Sequence, residues 1–199
     1  LNDPVQSSPA SAVDESTIES LIASQDANEL MQYLHANCDN DTISSTFERC
    51  QRESPTLYAS LLQEGLAVGN AVSHHKYAVS LLSTGQEARP TEAQLDEAQN
   101  HLRESIKKGH KKSYLVLALL FHEFYRDDVQ TLNVLKEGAS QNEKYCKCLL
   151  GCFTSRGVAT KRDVMKGVPM ILDSGCDDRF YQQFSTDVGI YYSRLNGHE

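Results

Sequence analysis

Apolar residues recur at intervals of three and four along most of the chain, which is the spacing of helices with one buried face. A clear example begins at Thr91 and places Leu95, Ala98, Leu102 and Ile106 on one face. It ends at two lysines and a glycine, which are typical of the C-terminal end of a helix. The alternation that marks strands is hard to find, so the pattern predicts an all-α fold.

The segment SYLVLALLFHEFY, residues 113–125, is so apolar that we expect its helix to be buried nearly all round. The next predicted helix begins at Asp127 and Asp128, where the positive end of the helix dipole favours carboxylates. It is followed by KYCKCLLGCFTSRGV, residues 144–158, a predicted helix with three cysteines in seven residues. A partner helix then ends at Gly175.

These helices form three units that can be aligned, residues 74–109, 113–138 and 145–175, and each is a helix, a loop and a second helix. Repetition of such a unit indicates a stack of helix pairs. Two antiparallel helices can approach closely only where small residues face each other, so small residues should recur at the contact positions.

The first helices of the last two units share a motif of a small residue, then leucine four positions later, then a second small residue. It reads Ser113-x-x-x-Leu117-Ala118 in one unit and Cys146-x-x-x-Leu150-Gly151 in the other. This motif resembles the first helix of the Sel-one-like repeat family, whose repeats are related to tetratricopeptide repeats. The resemblance implies a right-handed superhelix of antiparallel helix pairs, a solenoid that binds partners on its concave face.

The resemblance covers roughly residues 74–195 and suggests three regions. Residues 1–13, rich in serine and proline, are predicted to be a flexible leader. Residues 14–70 are predicted to form a helical N-terminal region, made of degenerate repeats or of a cap. Residues 71–199 are predicted to form Sel-one-like repeats with a C-terminal capping helix.

Six cysteines are present, and their spacing does not suit a zinc site or a C-x-x-C redox motif. In an antiparallel helix pair, the end of the second helix returns beside the start of the first, so Cys176 should lie near Cys146 or Cys148. Some bacterial members of the family that the chain resembles carry a disulfide in this arrangement. Cys38 and Cys50, on either side of a polar stretch, are a second candidate pair. Disulfides would indicate the periplasm or another exported location; reduced core cysteines in a cytoplasmic protein are the alternative.

The net charge of −8 is concentrated in residues 1–65, which carry eleven acidic and two basic residues. This balance argues against nucleic acid as a partner and is compatible with a basic protein partner. No apolar run approaches the length of a membrane span. His122-Glu123 lacks the second histidine of a zinc protease motif, and no phosphate loop, dinucleotide motif or nucleophile elbow is present. We therefore expect no enzyme activity, no cofactor and no metal.

The family resemblance implies a module that binds another protein on the face formed by its first helices. The candidate contact residues are Tyr114, His122, Tyr125, Tyr145, Tyr181 and Tyr191. The partner is expected to be a secreted antibacterial effector, which the chain would inhibit as an immunity protein against a toxic enzyme such as a phospholipase. The alternative is an envelope or host-directed scaffold that inhibits nothing.

Overall fold

The computed structural model of the protein describes residues 14–83 and 89–176. Over these residues it contains α-helices, one π-helical turn and no strand, which confirms the predicted all-α fold. The elements are α1 (Glu15–Ser24), α2 (Ala27–Asn37), α3 (Asn40–Glu53), α4 (Pro55–Ala67), α5 (Ala71–Leu82), α6 (Glu92–Lys107), α7 (Lys112–Leu120), the π-helical turn (Phe121–Tyr125), α8 (Asp128–Ser140), α9 (Lys144–Arg156) and α10 (Val164–Leu172). None of these helices is both long enough and apolar enough to cross a membrane. The predicted leader, the predicted C-terminal helix, Tyr181 and Tyr191 lie outside the described residues.

The chain divides into two compact units, residues 1–76 and residues 77–199, and the division falls within α5. The predicted repeat region begins at Ala71, which is the first residue of α5. The division of the chain into a leader, an N-terminal region and repeats stays a prediction.

Aspartates open the first three helices. The side chains of Asp14, Asp26 and Asp39 each accept a hydrogen bond from a backbone N–H in the first turn of the following helix. Asp14 supplies the N-terminal cap of α1, which begins at Glu15. The core of this unit is fully buried and is built around Leu30, Met31, Leu34, Phe47 and Leu61.

Asn70 precedes α5 and is buried. Its Oδ1 accepts hydrogen bonds from the backbone N–H groups of Val72 and Ser73, at 2.9 and 3.1 Å. We expect Asn70→Ala to lower the free energy of unfolding by about 1–2 kcal/mol, because two buried N–H groups lose their acceptor. Asn70→Asp keeps an acceptor oxygen and should retain most of the stability in urea denaturation. An equal loss in both variants would instead implicate the contact between Asn70 Nδ2 and His35 Nδ1, at 3.4 Å.

In the second unit, α7 packs against α8 and α9 packs against α10, and α8 also packs against α9. The predicted start of α6 is confirmed, because Thr91 and Gln94 form a reciprocal capping box. The predicted end of α8 at Gly138 is wrong. That glycine is buried inside the helix, where an added Cβ would lie 2.8 Å from the Cβ of Tyr114, and α8 continues to Ser140.

α9 and α10 approach each other closely at a pair of glycines. A Cβ added at Gly151 would lie 2.6 Å from the carbonyl oxygen of Gly167, and one added at Gly167 would lie 2.5 Å from the carbonyl oxygen of Gly151. The prediction that Gly151 is a small contact position is confirmed. The two glycines therefore determine how closely the helices of this pair can pack.

Candidate partner-binding groove

The first helices of two successive pairs, α7 and α9, form the walls of a groove whose floor is α8. Its volume is about 290 Å³. Leu119 and His122 line one wall, Leu149 and Phe153 line the other, and Leu135 lies at the floor. Stacked helix pairs commonly bind partners along such a surface.

The segment over residues 113–125 is not buried all round, contrary to the prediction. Leu117 and Leu120 are buried in the core, but Leu119 is 40% exposed and Phe124 is 37% exposed. α7 therefore has apolar residues on two faces, of which one packs in the core and the other borders the groove. The apolar residues all round this helix indicate the second apolar face in the sequence. The sequence alone does not distinguish a face that is buried in the core from one that is exposed and available for binding.

The π-helical turn that follows α7 is anchored at its end. Tyr125 Oη donates a hydrogen bond to Asp96 Oδ1 on α6, at 2.7 Å, and the Tyr125 ring packs against Phe121. Burial, with this hydrogen bond as a further cause, raises the pKa of Tyr125 to about 12. Turns of this kind are frequent at functional sites, because the wider turn changes the direction of the side chains around it.

His122 lies on the π-helical turn, at the edge of the groove. Its Nδ1 is 2.7 Å from Asp128 Oδ1, at the start of α8, and its ring packs edge-on against Phe153 of α9 with the ring centroids 5.4 Å apart. His122 thus contacts both neighbouring helices and is held in one orientation. No group of three His, Cys, Asp or Glu side chains in the described ranges is arranged to hold a metal ion.

The other predicted contact residues within the described ranges are half-buried and do not line the groove. Tyr114 packs beside Gly138 of α8, and burial raises its pKa. Tyr145 packs on the buried cysteines of α9, with Lys144 Nζ 4.7 Å from the centre of its ring. Tyr125 is held by Asp96. Of the predicted contacts within the described ranges, the structure brings His122 alone into the groove.

Three cysteines, Cys148, Cys152 and Cys176, lie together in a buried cluster beneath Tyr145. Hydrogen bonding by Cys152, and to a smaller extent by Cys176 and Ser174, outweighs burial and lowers the pKa of Cys148 to about 7. Burial raises the pKa of Cys176 to about 11. All six cysteines are thiols in the structure.

The structure decides which cysteine of α9 lies beside Cys176. Cys148 is within hydrogen-bonding distance of it, whereas Cys146 is buried against Gly138 of α8, and burial raises the pKa of the Cys146 thiol.

The other predicted pair, Cys38 and Cys50, is wrong. Residues 40–53 form one helix rather than a polar turn, so Cys50 lies about 15 Å along the helix axis from the end near Cys38. A disulfide needs Cα atoms within about 7 Å of each other.

The sequence matches no protein-family model and no curated protein. Solved structures with the same fold were found. One is a protective antigen of uropathogenic Escherichia coli strains that displays an SLR (Sel1-like repeat) fold, with a TM-score of 0.52 and 11% identity over 80% of this chain and 40% of that chain. Another is a Sel1 repeat protein from Oxalobacter formigenes, with a TM-score of 0.51 and 15% identity over 81% of this chain and 69% of that chain.

The aligned region thus spans less than half the length of the antigen. The resemblance seen in the sequence is confirmed at the level of the fold. The chain has the helical-repeat fold of Sel1-like repeat proteins.

Proposed function

We propose that the chain binds a partner protein through the groove between α7 and α9. The observation that carries this proposal is the exposed apolar side of α7 at Leu119, next to a face that is already buried in the core. Packing of the helix does not need this second apolar face. Exposed apolar surface with a polar rim is typical of interaction sites, and Glu123 and Arg156 supply polar groups at this rim.

The groove suits a partner that inserts one or two large apolar side chains. Leu119, Leu149 and Phe153 would contact such an anchor on both sides, and a few anchors of this kind commonly supply most of the binding free energy. His122, held by Asp128, presents a fixed polar group at the edge of the groove. We propose it as a contact that orients the partner.

We propose further that the partner is an exported antibacterial effector, a toxic enzyme such as a phospholipase, and that binding inhibits it. The acidic residues of the first unit support a basic partner, because ten acidic and two basic residues occur over residues 14–65 and nearly all of the acidic ones are exposed. Several of these carboxylates also stabilise helix N-termini, but they remain at the surface. The structural neighbour that is a protective antigen supports an exported location.

Leu119→Arg tests the groove, because it places a charge on the apolar wall. We expect binding of the effector to weaken by about 30-fold or more, as for a central interface residue worth about 2 kcal/mol or more. Cells that express the effector should lose protection to the same degree. Binding would be measured by calorimetry with purified effectors of antibacterial secretion systems, and protection by growth. Val68→Arg is the matched control, since Val68 is also exposed and lies in the first unit.

Unchanged binding by the Leu119→Arg variant would contradict the groove as the docking surface. A partner that binds through the groove but keeps its full activity in the complex would contradict inhibition. That result would favour the alternative, an envelope or host-directed scaffold.

A further inference from the structure

A second cleft uses a different face of α9 from the groove. It lies among α8, α9, α10 and the loop between the last two helices, and its volume is about 590 Å³. Leu132, Leu150 and Met170 contribute apolar side chains to its lining. The cleft is large enough for a short peptide segment.

The charged residues of this cleft are mostly basic. Its lining contains four basic residues, Lys136, Lys161, Arg162 and Lys166, and a single acidic residue, Asp163. The Asp163 carboxylate accepts a hydrogen bond from the backbone N–H of Lys166, at 3.0 Å, and so caps α10. Its negative charge is therefore directed at the helix N-terminus.

The lysines of the cleft contrast with two basic residues of the first unit. Lys76 pairs with Glu48, and Arg49 pairs with Glu19 and Glu53. Among the residues that the structure describes, no acidic side chain lies within ion-pair distance of Lys136, Lys161 or Lys166. Three cations with no acidic partner among residues 14–83 and 89–176 thus surround one cleft in a protein whose net charge is −8.

The loop that carries two of the basic residues is held against the end of α9. Arg162 Nε donates a hydrogen bond to the carbonyl oxygen of Ser155 at 3.2 Å, and the backbone N–H of Asp163 donates to the carbonyl oxygen of Thr154 at 2.9 Å. Gly157 has a φ of 77°, and a Cβ added to it would lie 3.0 Å from the Cβ of Arg162. This side of the cleft is therefore formed before a ligand binds, which lowers the cost of ordering it.

We propose that this cleft binds an acidic segment of a partner protein that carries one apolar side chain between aspartates or glutamates. The apolar floor takes the side chain, and the lysines and Arg162 bind the carboxylates by charge-assisted hydrogen bonds. Because the cleft shares no lining residue with the groove, this surface is independent of the proposed function. It would let the protein contact a second partner, or a second part of the same one.

The test uses the full chain and a short fluorescein-labelled peptide with aspartates and glutamates on both sides of a single leucine. We expect the peptide to bind, as measured by fluorescence anisotropy, and binding to weaken as salt is raised. Lys161→Glu with Lys166→Glu should weaken binding by about tenfold or more, because two attractive charges become repulsive. Both lysines are exposed, and a glutamate near the start of α10 is compatible with the helix, so the variant should fold.

The control variant, Lys108→Glu with Lys111→Glu, makes the same change in charge at two exposed lysines outside the cleft and should bind the peptide as the unaltered chain does. Leu119→Arg should also retain peptide binding, so failure of the groove proposal would leave this result unaffected. Equal loss in the control variant, equal binding of a peptide with asparagine and glutamine in place of the acids, or no binding of the acidic peptide would each overturn the proposal. The proposal would also be overturned if the protein bound phosphatidylglycerol vesicles through Lys161 and Lys166 but did not bind the peptide.

Discussion

Gly151→Ala is expected to lower the free energy of unfolding by about 1–2 kcal/mol. Alanine favours a helix over glycine by about 1 kcal/mol, so the expected loss comes entirely from packing. The new methyl group would lie 2.6 Å from the carbonyl oxygen of Gly167 and 2.8 Å from a side-chain carbon of Ile171. One of these neighbours is backbone, so α9 and α10 must move apart, and overpacking of this kind costs about 1–3 kcal/mol or more.

The measurement is urea denaturation followed by circular dichroism. Asn133→Ala is the control, because Asn133 is exposed on α8 and its replacement should stabilise the helix slightly. Gly167→Ala should cost about as much as Gly151→Ala, and the double variant should cost clearly less than the sum. Once the helices have moved apart for one methyl group, the second methyl group lowers the free energy of unfolding by less. Full additivity would contradict a shared point of contact between the two helices.

The fold could be predicted largely from the sequence because the helices of the second unit carry strong local signals. Thr91 and Gln94 mark the start of α6, and Gly151 marks the contact of α9 with α10. The start of α3 at Asn40 was not predicted, because few apolar residues mark it. Its buried face depends on Ile43, Phe47 and Cys50, within a stretch whose polar residues are typical of a turn.

The candidate site could be predicted only in part. His122 was predicted as a contact because first helices line the concave face in Sel-one-like repeats, and the structure places it at the groove. The tyrosines were chosen by the same reasoning, but Tyr114 and Tyr145 have enough apolar surface to pack between helices, and they do. Leu119 was missed because composition alone cannot separate a helix buried on all sides from one with an exposed apolar face.

Oxidation of the protein with oxidised glutathione is expected to form one disulfide, between Cys148 and Cys176. The two thiols lie in one buried cluster, and hydrogen bonding lowers the pKa of Cys148 while burial raises that of Cys176, so Cys148 is the thiol of the pair that ionises more readily. Each disulfide formed would reduce one molecule of oxidised glutathione to two thiols. The bond joins residues 28 positions apart, and closure of such a loop should raise the free energy of unfolding by about 3–4 kcal/mol.

Peptide mapping under non-reducing conditions would identify the bond, and urea denaturation of the oxidised and reduced forms would give its effect on stability. Cys176→Ser should lose both the bond and the gain in stability, whereas Cys146→Ser should keep them, because Cys146 is buried on the side of α9 that contacts α8. A bond between Cys146 and Cys176, or an oxidised form no more stable than the reduced one, would contradict the prediction. Since this disulfide is one of the arguments for an exported protein, the second result would also favour the cytoplasmic alternative and remove an argument for an exported effector as the partner.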